Sequence, residues 1–235
     1  MQVKLTPRLN KITQLVSEGS IVADIGTDHG YIPTYLIANN ICSRVIASDV
    51  NEKPLKSAIN NIKSYGFENQ IETRLGNGLE VLKPHEVDTV IIAGMGGLLI
   101  SELLNNSKEI IDTVDFFILQ PMQAQEELRR YLVENKFTIV EDVLVKEDHR
   151  IYEIIKAKKG NQLVDDELKY EIGFHIEKNQ LNLAEEFLEG KLKALREIIL
   201  QVEAQKSAAA IEKFNYCVDK IYKIEEVQKW LKKLS

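Results

Sequence analysis

Residues 22–31, Val-Ala-Asp-Ile-Gly-Thr-Asp-His-Gly-Tyr, predict a β-strand that runs into a glycine turn. The apolar residues before Gly26 form the strand, and the glycines let the backbone turn tightly and approach a ligand. A dinucleotide-binding turn of the form G-x-G-x-x-G would have its second glycine where this chain has Asp28. Asp24 stands just before the turn. The stretch therefore predicts a nucleotide-binding type of fold whose first turn is acidic.

The acidic turn indicates the kind of ligand that such a fold would bind. Because carboxylates repel a pyrophosphate, Asp24 and Asp28 favour a ligand with a cationic end and no phosphate. The amino-acid portion and the sulfonium of S-adenosylmethionine meet both conditions. An acidic turn that binds no ligand is the alternative interpretation of this stretch alone.

Short β-rich runs alternate with helical stretches from here to about residue 158. The predicted strands are residues 21–25, 44–48, 71–75, 88–93 and 115–120. The predicted helices are residues 31–39, 51–65, 97–105 and 123–135. Such alternation predicts an α/β fold with a mostly parallel sheet, covered by helices on both faces. The class is a Rossmann-like domain.

The pattern changes after the fifth strand. Residues 137–145 and 150–157 predict an antiparallel hairpin, joined by a polar loop at 146–149, that closes one edge of the sheet. Leucines then recur at positions 181, 188 and 195, and a second apolar run follows from residue 214. Two amphipathic helices broken around 205–208 are predicted, forming a coiled-coil-like hairpin. We expect an α/β domain over residues 1–160 and a helical domain over residues 161–235.

Further candidate residues follow the other strands. Ser48-Asp49-Val50 ends the second strand, where an acid either binds the hydroxyls of a ribose or caps the next helix. Gly76-Asn77-Gly78 follows the third strand and predicts a tight turn, or a contact from Asn77 to an adenine. Because ligands of open α/β sheets bind at the carboxyl ends of the strands, these residues are expected to meet the first turn.

The fourth and fifth strands end in residues suited to a flat substrate. Ala93-Gly94-Met95-Gly-Gly97 leaves room for one at the backbone, although close packing of strand against helix is the alternative. Gln120 could donate to and accept from a base. His29 is either a solvated loop histidine or part of the site. No His, Cys or carboxylate set has the spacing of a metal site.

Composition limits the possible partners. The chain of 235 residues has a net charge of −6, two distant cysteines and no apolar run long enough to span a membrane. We expect a cytoplasmic protein without a membrane segment or bound metal. Any nucleic acid would have to be held by local basic patches, of which the sequence offers Arg8/Lys11, Arg129/Arg130, Lys156/Lys158/Lys159 and residues 220–233.

Six motifs occur together in one order. They are Leu-Thr-Pro-Arg-Leu at 5–9, Ala-Asp-Ile-Gly-Thr-Asp-His-Gly-Tyr-Ile-Pro at 23–33, Asp49, Gly-Asn-Gly at 76–78, Ile-Ile-Ala-Gly-Met-Gly-Gly at 91–97 and Ile-Leu-Gln-Pro at 118–121. This set resembles the bacterial tRNA (adenine-N1)-methyltransferases of the TrmK type, which modify the adenine at position 22 of tRNA. The resemblance covers essentially the whole chain. It implies a seven-stranded class I methyltransferase domain that uses S-adenosylmethionine, with a coiled-coil-like extension.

The resemblance also implies roles for individual residues. Those assigned to the cofactor are Asp24, Gly26 and Asp28 on the methionine side, Asp49 and Val50 at the ribose, Gly76, Asn77 and Gly78 at the adenine, and Ala93, Gly94 and Met95 beside the sulfonium and the incoming base. For catalysis we hypothesise that Asp28 and His29 orient the amino-acid end of the cofactor or the adenine edge, that Tyr31 stacks on or borders the base, and that Arg8 holds a nearby phosphate. The family often has asparagine where this chain has Met122.

Three other functions compete with tRNA methylation. The first is S-adenosylmethionine-dependent methylation of another RNA, a protein or a small molecule, which would not depend on tRNA. The second is a non-catalytic binding module whose helical hairpin recruits a partner. A nicotinamide oxidoreductase ranks last, because the phosphate-binding turn is missing. For the tRNA enzyme we expect a monomer.

Overall fold

The computed structural model describes residues 3–205 and 207–234 and divides into two compact units, Met1–Leu163 and Val164–Ser235. A seven-stranded sheet in the order β3-β2-β1-β4-β5-β7-β6 forms the centre of the first unit. Its strands are β1 Ile21–Ile25, β2 Arg44–Asp49, β3 Ile71–Leu75, β4 Thr89–Met95, β5 Phe116–Pro121, β6 Phe137–Glu147 and β7 Arg150–Lys159. Strands β1 to β5 pair in parallel, and β7 is antiparallel to both β5 and β6. The predicted fold class is confirmed.

Helices connect the strands of this unit. They are α1 Pro7–Gln14, α2 Tyr31–Ala38, α3 Glu52–Tyr65, α4 Gly97–Asn105, α5 Lys108–Ile111 and α6 Gln125–Glu134, with a 3-10 helix at Gly78–Val81. Helix α1 was not predicted; Pro7 occupies its first turn and the Thr6 hydroxyl accepts a hydrogen bond from the Leu9 amide.

The order of the strands determines where a ligand can bind. From β1 the chain moves outward through β2 to β3 and then returns to β4 on the other side of β1. Strand β1 lies beside both β2 and β4, and nearly all of its residues are buried. Open α/β sheets bind ligands at such a reversal of strand order, beyond the carboxyl ends of the strands.

The predicted hairpin closes the sheet with β7 as the inner strand. Its strands extend farther than the sequence suggested, since Glu147 pairs with Arg150 and only two residues form the turn. Asp148, one of these two, has a positive φ of 55°. Aspartate tolerates this conformation better than most residues, which suits it to a tight hairpin turn.

A buried ion-pair cluster joins α6 to the hairpin. Arg129 is fully buried and donates to Asp142 at 2.8 and 2.7 Å and to Glu153 at 2.6 Å. The expected basic patch at Arg129/Arg130 is therefore wrong for Arg129, because its guanidinium is enclosed by carboxylates and does not reach the surface. Neighbouring Arg130 remains partly exposed and pairs with Glu126.

The second unit is helical. It comprises α7 Leu168–Ile172, a 3-10 helix at Ile176–Lys178, α8 Leu181–Val202 and α9 Ala208–Leu234. Ion pairs between Glu185 and Lys232 and between Arg196 and Glu225 show that α8 and α9 run antiparallel. Their buried stripes are mainly small and aliphatic, with Ala184, Phe187, Leu188, Leu192 and Leu195 facing Ala210, Cys217, Ile224 and Leu231. None of the described helices has the length and apolar character needed to cross a membrane.

Candidate active site

A cleft of about 540 Å³ opens at the carboxyl ends of β1, β2, β3 and β4. Gln120 does not line this cleft, which brings together every residue assigned above to the cofactor or to catalysis: Arg8, Asp24, Gly26, Asp28, His29, Tyr31, Asp49, Val50, Gly76, Asn77, Gly78, Ala93, Gly94 and Met95. These residues come from four strand ends and from α1, so the sheet edge collects positions that are far apart in the chain.

The first turn is held close to the neighbouring strands. The amides of Gly26 and Thr27 both donate to the Ser48 carbonyl at 2.8 Å. Gly26 has a positive φ of 79°, and a Cβ at this position would collide with the side chain of Met95. Asp28 also lies in the left-handed region, with φ of 50°. Glycine adopts this φ without strain, and its lack of a side chain leaves the backbone open to the cleft.

Asp24 is a buried carboxyl at the base of the turn. It is 3% exposed and accepts a 2.6 Å hydrogen bond from the Thr27 hydroxyl. Burial raises the pKa of Asp24 to about 6; the Thr27 hydrogen bond opposes this shift and the charge of Asp49 adds to it. A cationic ligand beside Asp24 would stabilise the ionised form.

Asp49 closes the second strand. It is 8% exposed, and its Oδ1 accepts a 2.8 Å hydrogen bond from the Asn51 amide. The residue that precedes α3 as its cap is Asn51, so the alternative in which Asp49 caps this helix is wrong. Val50, beside it, is 60% exposed at the cleft. The Asn51 amide thus orients the Asp49 carboxylate, which lies where this fold binds the hydroxyls of a ribose.

The third strand end supplies a polar tip and an apolar wall. Asn77 is exposed, and its amide lies 3.4 Å from a carboxylate oxygen of Glu80. Gly78 has φ of 53°, and a Cβ there would lie 2.5 Å from Leu103 of α4. Leu99 and Leu103 also line the cleft. Sequence reasoning missed these two, although their spacing of four residues places them on one helix face.

The glycines after β4 have different roles. A Cβ at Gly97 would collide with the Ala124 carbonyl, so the close-packing interpretation applies at this position. Gly94 has φ of 79°, and the nearest atom to a Cβ there is a guanidinium nitrogen of Arg8 at 3.9 Å. The pairing of β4 with β5 is irregular between Ala93 and Met95. This irregularity turns the Gly94 backbone towards the cleft.

Arg8 reaches the cleft from α1. Its guanidinium donates to Oε1 of Gln120 and lies over the ring of Tyr152, 5.2 Å from the centroid. Its backbone amide donates to Glu147 at 2.9 Å. Gln120 is fully buried and its own amide nitrogen donates to the Pro121 carbonyl at 2.8 Å. The expectation that Gln120 contacts a base is wrong, because both ends of its amide are used within the protein.

Three side chains lie together at the mouth of the cleft. His29 contacts Ser57 through Nδ1 at 2.7 Å, and its Nε2 is 3.5 Å from Asp28. The rings of His29 and Tyr31 are 5.4 Å apart, and Tyr31 is 44% exposed. His29 is therefore not an isolated loop histidine. Met122, 41% exposed, lines the same cleft.

The cleft contains residues for an organic ligand and none arranged for a metal. Over residues 3–205 and 207–234, no three His, Cys, Asp or Glu side chains form a group that could hold a metal ion. Among the described lining residues, Arg8 is the one arginine or lysine. The cleft thus combines the buried carboxyls of Asp24 and Asp49 with one half-buried basic group, Arg8.

A comparison with known protein families identifies the class of protein to which this chain belongs. Residues 5–155 match the family model described as "Methyltransferase domain". This match spans β1 to β5 and most of the hairpin, together with every residue assigned to the cleft.

The particular family follows from individual relatives. The tRNA (adenine(22)-N(1))-methyltransferase of Bacillus subtilis is 34% identical over 161 residues, which are 68% of each chain. The crystal structure of the B. subtilis M1A22 tRNA methyltransferase TrmK has a TM-score of 0.87 at 29% identity and covers 97% of this chain and 100% of that one. M. capricolum TrmK, in complex with S-adenosyl-homocysteine, has a TM-score of 0.81 at 31% identity, covering 96% and 98%. This chain belongs to the tRNA (adenine(22)-N(1))-methyltransferase family.

Proposed function

We propose that this protein transfers the methyl group of S-adenosylmethionine to N1 of the adenine at position 22 of tRNA. The observation that carries the proposal is a single cleft with two chemically different ends. Buried Asp24 and Asp49 line one part of the cleft, whereas half-buried Arg8 and Tyr31, which is 44% exposed, line another. The acidic part suits a cationic cofactor without phosphate, and the part lined by Arg8 and Tyr31 suits a nucleotide.

The inner residues match the chemistry of this cofactor. Asp24, Gly26 and Asp28 would hold its amino-acid end, because a carboxylate attracts an ammonium group and Gly26 leaves the backbone accessible. Asp49 would accept hydrogen bonds from the ribose hydroxyls, and Asn77 would contact the adenine. When bound, S-adenosylmethionine supplies an electrophilic methyl group on a positively charged sulfur.

The protein's contribution to the reaction is positioning. N1 of adenine has a free lone pair, so no proton has to be removed before attack and no strong base is required. Ala93, Gly94 and Met95 would border the base, Tyr31 would stack on it, and Asp28 with His29 would orient its edge. Because N1 lies on the Watson–Crick edge, a paired target base must first leave its helix.

Local contacts have to bind the tRNA in a chain of net charge −6. Two lysines of one predicted basic patch are already engaged: Lys156 donates to the Leu15 carbonyl at 2.7 Å, and Lys159 pairs with Asp112 at 3.3 Å. Arg8 is different, because its guanidinium is held by a neutral amide and an aromatic ring. We therefore assign the phosphate contact nearest the reaction to Arg8.

We also propose that the enzyme acts as a monomer in the cytoplasm, since one chain supplies both ends of the cleft. Light scattering of the purified protein, with and without tRNA, tests the first part. A stable dimer in both conditions would contradict it.

The proposed reaction is tested with labelled S-adenosylmethionine and unmodified tRNA, followed by digestion to nucleosides. We expect label in 1-methyladenosine, and we expect its loss when the adenine at position 22 is replaced. The matched control is the same tRNA with another unpaired adenine replaced. Cofactor binding without label in any tRNA nucleoside would instead support methylation of a different RNA, a protein or a small molecule.

A further inference from the structure

Gln120, near the end of β5, links α1 and β4, two elements that carry residues of the cleft and are far apart in the sequence. Its Oε1 accepts hydrogen bonds from the Arg8 guanidinium and, at 3.2 Å, from the Gly94 amide. Its Nε2 donates to the Pro121 carbonyl, and the side chain is 0% exposed. One neutral amide thus joins α1 to the ends of β4 and β5.

The neutrality of Gln120 matters for Arg8. Within the described part of the chain, no carboxylate lies within 4 Å of the Arg8 guanidinium, although Glu147 binds its backbone amide. Arg8 Nε is buried without a hydrogen-bond partner. Tyr152 supports the guanidinium through its ring face. Gln120 and Tyr152 therefore orient the Arg8 guanidinium without placing a negative charge beside it.

We infer that Gln120 is a positioning residue, which holds the Arg8 guanidinium against the cleft with no carboxylate beside it, so that the guanidinium binds a phosphate of the tRNA backbone. This inference rests on the proposed function and deepens it. A glutamate at position 120 would accept the same hydrogen bonds but pair with Arg8 as an ion. An apolar side chain would leave the guanidinium without its acceptor.

The test is Gln120→Glu in the full-length protein, with tRNA binding measured over a range of salt concentrations. We expect the Kd for tRNA to rise by about tenfold and the slope of log K against log salt to become less steep by about 1, as for loss of one phosphate contact. KM for tRNA rises while the affinity for S-adenosylmethionine stays the same. Gln123→Glu is the matched control, because it adds the same charge three residues farther along the chain, at an exposed position after β5.

A double-mutant comparison separates positioning from a general effect on the fold. If Gln120 acts through Arg8, Gln120→Glu has no further effect on tRNA affinity once Arg8 is replaced by alanine. Gln120→Met, which removes the acceptor without adding charge, should weaken tRNA binding in the same direction and provides a second route if the glutamate variant fails to fold.

Two results would overturn the inference while leaving the proposed function intact. The first is that the wild-type enzyme methylates tRNA, but the Gln120→Glu and Gln120→Met variants bind tRNA as tightly as the wild type does. The other is an effect of equal size in the Arg8→Ala background. If the wild-type enzyme does not methylate tRNA at all, the proposed function fails first.

Discussion

The Thr27 hydroxyl donates a 2.6 Å hydrogen bond to Asp24, a carboxyl that is 3% exposed at the inner end of the cleft. Burial raises the pKa of Asp24 to about 6, against an ordinary value of 3.8. The residue that the sequence singles out for a cationic ligand is thus protonated in mildly acidic solution. We therefore expect both the affinity for S-adenosylmethionine and the free energy of unfolding to depend on the protonation of Asp24.

Binding of S-adenosylmethionine is expected to weaken below pH 6. The cationic ligand requires ionised Asp24, so its affinity should fall by about tenfold for each pH unit below the pKa. Calorimetric titration between pH 5 and 8 measures the effect. The control is Asp24→Asn, whose weaker binding should vary little over the same range. Equal pH dependence in the two proteins would contradict this assignment.

Asp24→Asn is also expected to stabilise the ligand-free protein near pH 7.5. Because the folded-state pKa lies above the unfolded value, the stability contributed by this group is present at low pH and is lost as pH rises through about 6. The asparagine removes a buried charge and can still accept from Thr27, so the free energy of unfolding should rise by about 1–3 kcal/mol.

Urea unfolding of both proteins at pH 7.5 and pH 4 measures this gain, which should be largest at the higher pH and small at the lower. A gain of equal size at both values would show that the asparagine acts through something other than the Asp24 charge.

Gly26→Ala is expected to impair methylation far more than stability. Gly26 and Gly19 have similar positive φ values of 79° and 82°, so alanine costs about 1–2 kcal/mol of strain at either site. At Gly19 a Cβ would meet nothing within 4 Å, whereas at Gly26 it would displace Met95 in the cleft. Gly19→Ala is therefore the matched control in assays of turnover and thermal unfolding. Equal loss of turnover in both variants would exclude a specific role for the Met95 contact.

Arg129→Ala is expected to destabilise the first unit by about 3–5 kcal/mol, because it removes the guanidinium that pairs with the buried carboxylates of Asp142 and Glu153. The neighbouring Arg130 is the control. Its side chain is 36% exposed, so Arg130→Ala should cost less than about 1 kcal/mol. Urea unfolding of the two variants gives the comparison, and similar losses would show that the buried cluster contributes little.

Tyr31→Ala is expected to lower kcat/KM for tRNA by about tenfold to a hundredfold, since stacking of a base on an aromatic ring contributes about 1–3 kcal/mol. Tyr31→Phe keeps the ring and should retain most of the activity. The affinity for S-adenosylmethionine should change little in both variants. If phenylalanine is as harmful as alanine, the hydroxyl of Tyr31 matters and stacking is not its main role.

The fold class and the polar and glycine residues of the cleft could be predicted from the sequence, whereas its apolar lining residues Leu99 and Leu103 were not. The apolar strand runs and their alternation with helices are local properties, so they could be interpreted without coordinates. The site was also predictable, because carboxyl ends of parallel strands share one edge of the sheet. Asp24 lies near the end of a predicted strand, and Asp49 and Asn77 each follow one, so the three residues converge on that edge.

The environment of each side chain could not be predicted from the sequence. Arg129 was predicted to belong to a basic surface patch, but Asp142 and Glu153, which are 13 and 24 residues away in the sequence, enclose its guanidinium. Arg8 and Gln120 are 112 residues apart, and nothing local in either motif indicates that they are hydrogen-bonded. The pKa of Asp24 likewise depends on burial by other segments. The charge, exposure and hydrogen-bond partners of a side chain depend on residues that are distant in the sequence and are brought near it by folding. For that reason residues could be assigned to a site from the sequence, but their burial, ion pairs and pKa values could not.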